Sequence, residues 1–92
     1  MHFVKGEYEQ SADVYEQLVA EEPENATFLY NLACAESHLG RKQEALEHLR
    51  QAVEKRPELA GGALRDSDLD AIRDDPEFSA ITGQVNGTGS SS

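Results

Sequence analysis

The residues best suited to do chemistry are Cys34 and His38, four apart in a stretch of helical periodicity. That spacing puts a thiol and an imidazole on one helix face, as a thiolate–imidazole pair or half of a metal site requires. A zinc site needs three or four ligands, and no second pair has this spacing, since His2 and His48 stand alone. A single helical cysteine is more often a small packing residue. The acidic pairs Asp66/Asp68 and Asp74/Asp75 read as helix caps, because the central Gly and bidentate Glu of a calcium loop are missing. The balance points to a protein that is not an enzyme, with no cofactor and no metal.

The element that carries Cys34 and His38 is a helix expected over 26–39, with Asn25 as its N-cap and Gly40 as its stop. Its apolar face comprises Phe28, Leu29, Leu32, Ala33, Ala35 and Leu39. Thr27, Tyr30, Asn31, Cys34, Ser37 and His38 share the other face by their spacing of three and four. A second helix follows over 42–55, with Ala45, Leu46, Leu49, Ala52 and Val53 inward, and Pro57 ends the pattern. Upstream, residues 7–21 form an acidic amphipathic helix with Tyr8, Ser11, Ala12, Val14, Tyr15, Leu18 and Val19 on one stripe, closed by Pro23. Gly6 is a plausible C-cap of a still earlier helix.

Downstream the texture changes. Gly61-Gly62 weakens residues 58–65 as a helix unless packing helps. Ser67 or Asp68 can cap a short helix through Arg73, and Asp75-Pro76 opens a last helix to about Thr82. Residues 83–92 are Gly/Ser-rich and expected to be disordered. The apolar set of this segment is Leu64, Leu69, Ile72, Phe78 and Ile81, which suits a cover for the repeat before it.

With 92 residues, 38% hydrophobic and no Trp, the chain fits one small domain of thin helix-on-helix packing. The formal charge of −10 argues against nucleic acid and anionic membrane surfaces, both of which need a basic footprint. The acids crowd the two ends, whereas residues 36–58 carry five acids and five bases. Such a distribution fits a basic partner, a solvated face or salt adaptation, and solvation is the commonest of the three. One cysteine excludes an intrachain disulfide and suits a reducing compartment, and no signal peptide or membrane span is visible. A cytoplasmic protein is expected.

Gly6 and Gly40 are 34 residues apart, as are Pro23 and Pro57. Gln17/Gln51, Val19/Val53 and Glu24/Glu58 fall in the same register, and Ser11/Ala45 keep a small residue. A 34-residue period of paired helices marks an array in which each unit covers its neighbour. The sequence resembles the tetratricopeptide repeat (TPR) family, with 26–59 as one full repeat and 1–25 as a partial one. Leu32-Ala33 matches the family's Leu-Gly pair, Gly40 its turn glycine, Ala45 and Ala52 its small packing positions and Pro57 its terminal proline. Leu29 and Glu36 depart from the usual aromatics, and Glu36 suggests looser packing at that point. Residues 60–82 are similar to the acidic segment D-L-x-x-[LI]-R-x-D-P-x-F that closes many bacterial arrays.

The resemblance implies an all-α helix-turn-helix array, a fragment of an α-solenoid with short capping helices. It also implies a protein or peptide partner in the concave groove lined by the first helix of each repeat. Here that groove face would be Thr27, Tyr30, Asn31, Cys34, Ser37 and His38. Asn31 sits at a position of the clamp with which some TPR modules hold a terminal carboxylate and Arg65 could occupy another, but the remaining positions fall in the missing helix or at Gly61, which has no side chain. In the same frame Met1 falls inside a repeat, so the chain reads as a piece of a longer array. The uncovered side of helix 7–21 would then be open to self-association as a homodimer; alternatively the module would be a structural spacer within a larger multidomain protein.

Overall fold

The computed structural model describes residues 5–83, in the order α1 (Lys5–Glu21), α2 (Ala26–His38), α3 (Lys42–Lys55), α4 (Leu59–Arg65), a 3-10 helix (Ser67–Ile72) and α5 (Pro76–Thr82). The apolar lead with His2 and residues 84–92 of the expected disordered tail lie outside the described residues. The helices pack antiparallel as a helix-turn-helix array, the expected all-α architecture. α2 is the hub, packing against α1, α3 and the 3-10 helix.

Local chemistry explains the boundaries. Asn25 Oδ1 accepts from Phe28 N at 3.1 Å, satisfying one of the free amides of the first turn of α2. Gly40 takes φ 78°, a left-handed conformation that glycine adopts without Cβ strain, and so turns the chain into α3. Asp75 Oδ1 accepts from Glu77 N at 2.9 Å ahead of Pro76, which opens α5. The 3-10 helix is capped one residue earlier than expected: Asp66 Oδ1 accepts from Asp68 N at 3.0 Å. Gly6 does not cap an earlier helix but lies inside α1. Gly83 closes α5 at φ 74°, so the helix-stop role displaces its expected place in the tail.

Two apolar clusters hold the helices. The larger joins Ala33, Ala45, Leu46, Leu49, Ala63, Leu69, Ile72 and Phe78, with Tyr30, Cys34, Val53 and Ile81 packed against it. Burying each of its leucines stabilises the fold by about 1.5–3 kcal/mol. The smaller consists of Ala12, Leu32 and Ala35, flanked by Tyr15, Val19 and Leu39, between α1 and α2. Two expected inward residues point elsewhere. Val14 is 54% exposed on α1, and Leu64 is 38% exposed while Ala63 takes the buried position of α4.

Arg73 ties the cover together. Its guanidinium donates to the Leu64 carbonyl and, at 2.7 Å, to the Asp66 carbonyl, capturing main-chain acceptors at the C-terminal end of α4. It also pairs with Asp70 at 3.0 Å and lies 5.9 Å from the Phe78 ring centre.

Candidate functional site

The six groove-face residues of α2 do not share one environment. Thr27 is exposed, Tyr30, Asn31, Cys34 and His38 are half-buried, and Ser37 is only 1% exposed. Ser37 therefore belongs to the interior and not to an open groove, and its Oγ makes no hydrogen bond among the described residues. The face expected to be spare is in large part covered by the 3-10 helix, because Leu69 and Ile72 need an apolar surface and find it beside Ala33 and Tyr30.

Polar bonds fix that covering. Tyr30 donates its hydroxyl to Asp66 Oδ2 at 2.6 Å, and His38 Nε2 meets Asp68 Oδ1 at 2.9 Å. Tyr8 of α1 stacks on the His38 ring, with centroids 4.1 Å apart and an interplanar angle of 14°. The cap's acids, whose sequence context suggested helix capping alone, thus also bind side chains of α2. Thr27 and Asn31 take no part in these bonds.

Electrostatics follow from the same geometry. Burial, then the hydrogen bond to Asp66, pushes the Tyr30 phenol far above its ordinary range. Burial, followed by the charges of Asp66 and Asp68, pushes the Cys34 thiol up to about 12. A thiol held protonated is a poor nucleophile, so the Cys34–His38 spacing does not deliver an activated thiolate. What the fold does assemble is a mixed set of donors. One ligand atom each from Cys34, Asp66 and Asp68 lies within 4.8 Å of the others.

A second polar pair lies between α2 and α3. Glu36 is 1% exposed, and its Oε1 accepts from His48 Nδ1 at 2.7 Å. Its Oε2 has no hydrogen-bond partner among the described residues. The bond to Glu36 pushes His48 above its ordinary value of 6.5, against the opposing effect of burial. Glu36 is therefore enclosed and paired, not a point of loose packing. Its partner escaped the sequence reading because His48 is twelve positions away on the next helix, and only antiparallel packing brings the two together.

A helix-turn-helix unit of this geometry, closed on one side by a short cover, has its counterpart among known families. The tetratricopeptide repeat family model matches residues 2–60, and the chain belongs to the tetratricopeptide repeat family. TPR units are general protein–protein interaction modules. No curated protein and no solved structure matches the chain. None of the described helices is long and apolar enough to cross a membrane.

Proposed function

We propose that the chain is a non-enzymatic scaffold module that binds an extended peptide or partner protein along α2. The observation that carries this reading is the division of the α2 face. Tyr30 and His38 are bonded to the cap, while Thr27 and Asn31 are left outside those bonds. An Asn amide offers a donor and an acceptor together, which suits the backbone of an extended segment. Tyr30, half-buried and fixed by Asp66, adds a flat apolar edge beside it. Cys34 and His38, both half-buried, would border the site on its cap side. Ser37, enclosed, supports the helix from within.

A peptide-display selection against the full chain tests the proposal. Binding of the selected peptides should fall about tenfold in Asn31→Ala, the loss expected of a hydrogen bond worth about 1.4 kcal/mol. It should be unchanged in Val14→Asp. Peptides indifferent to Asn31 but lost with Val14 would move the site to α1.

A second reading, self-association through α1, has one observation in its favour. Val14 is exposed beside a shallow hollow lined by Glu7, Gln10, Ser11, Val14 and Tyr15. Against it, Glu7, Glu9, Asp13 and Glu16 are exposed on the same helix, and two copies would bring like charges together. Sedimentation at two salt concentrations separates the cases: a dimer through α1 should appear only as salt rises.

A further inference from the structure

Beyond peptide recognition, we infer that Cys34, Asp66 and Asp68 form a binding site for a thiophilic divalent cation of the Zn²⁺ type, which locks the 3-10 helix onto α2.

The argument starts from what the fold brings together. Cys34 comes from the middle of α2, and the two carboxylates come from the segment packed against it. Their ligand atoms lie within 4.8 Å of one another. A tetrahedral zinc site, with Zn–S near 2.3 Å and Zn–O near 2.1 Å, needs ligand separations of about 3.5 Å. The ligand atoms are thus near that spacing but wider than it, and binding would draw the side chains inward.

The outer partners are already in place. A metal-ligating carboxylate is usually oriented by a hydrogen bond from a neighbouring side chain. Tyr30 supplies one to Asp66 at 2.6 Å, and His38 meets Asp68 at 2.9 Å with Tyr8 stacked on its ring. Each carboxylate oxygen has a second lone pair, so these bonds can persist while a cation is held.

Charge points the same way. Among the described residues, no Lys or Arg side chain pairs with the carboxylate of Asp66 or Asp68. Arg73, which bonds the Asp66 main chain, directs its guanidinium to Asp70 and to main-chain carbonyls. Two carboxylates beside a half-buried thiol form a concentrated negative site that a divalent cation would neutralise. The sulfur donor decides which cation. A thiolate with carboxylates favours Zn²⁺ or Co²⁺, whereas Mg²⁺ and Ca²⁺ call for oxygen alone. On binding, the Cys34 proton leaves to solvent and water takes the fourth position.

The test uses the full chain stripped of metal with a chelator. Titration with Zn²⁺ alone, followed by calorimetry, should show one saturable site per chain and a rise in melting temperature that Mg²⁺ does not produce. Cys34→Ser and Asp68→Asn should each weaken Zn²⁺ at least about tenfold, and Glu54→Gln, an α3 residue paired with Arg50, should not. With Co²⁺ as probe, a thiolate-to-cobalt charge-transfer band should appear in the native chain and in His38→Ala, but not in Cys34→Ser. Circular dichroism checks that each variant is folded. The inference is overturned if Zn²⁺ binding is not saturable, if Cys34→Ser binds as tightly as the native chain, or if the cobalt band is absent.

Discussion

The two sides of α2 are built on different scales. On one side, α3, the 3-10 helix and α5 bury Leu49, Leu69, Ile72 and Phe78 in a single cluster. On the other, α1 meets α2 mainly through Ala12, Leu32 and Ala35, with half-buried side chains at the margin. Large residues from several elements make the first side a sealed core. Two alanines around one fully buried leucine make the second a close but thin contact. In a stacked array each unit relies on its neighbours for burial, and the cap exists to finish that burial on one side. The cap segment therefore does the work of a further repeat, although the 3-10 helix has six residues and α5 seven.

The contrast is most sharply broken by truncating one residue on each side. Phe78→Ala should cost about 3–5 kcal/mol, because it empties the centre of the sealed cluster. Val19→Ala on α1, half-buried against the smaller cluster, should cost about 1 kcal/mol. Urea unfolding with an unchanged slope measures both, and equal losses would remove the distinction.

The next effect lies in the polar pair of the sealed side. His48→Ala leaves the enclosed Glu36 carboxylate without its only described hydrogen-bond partner and should cost about 2 kcal/mol. The pair also gives a pH dependence with a fixed sign. His48 is raised on folding, so its contribution is fully present below its ordinary value of 6.5 and is lost as pH rises through the folded value. Native stability should therefore decline from pH 6.5 upward more steeply than that of His48→Gln. Parallel profiles by thermal melting would show that the pair does not carry the dependence.

The smallest effect is a gain. Gly61 and Gly62 lie in α4, and a Cβ at either would meet no atom within 4 Å. Gly62→Ala should stabilise by about 0.5–1 kcal/mol, through the entropy of the unfolded chain. A loss on substitution would show that α4 needs glycine for a reason other than helix geometry.

Much of this architecture was legible in local residue types. Asn25, Gly40 and Asp75-Pro76 mark helix ends by chemistry confined to a few neighbouring residues, and all three act as their types suggest. The inward set of α3 follows from its period alone. What could not be read was the environment of α2. Periodicity assigns one buried face, but α2 is packed by three elements, so Glu36 and Ser37 are enclosed as fully as Leu32. The bonds Tyr30–Asp66 and His38–Asp68 join residues 36 and 30 positions apart, beyond the reach of any helical spacing rule. The Cys34 cluster was half visible for the same reason. The helix supplies the thiol at a regular position, and only tertiary packing supplies the carboxylates.

Residue-resolved amide hydrogen exchange under native conditions tests the sealed-and-thin account most directly. The amides of α2, α3 and α5 should open together at the highest free energy in the molecule, with those of α1 opening earlier and separately. If α5 or the 3-10 helix exchanges before α1, the cover is the loose part and the contrast between the two sides of α2 is reversed.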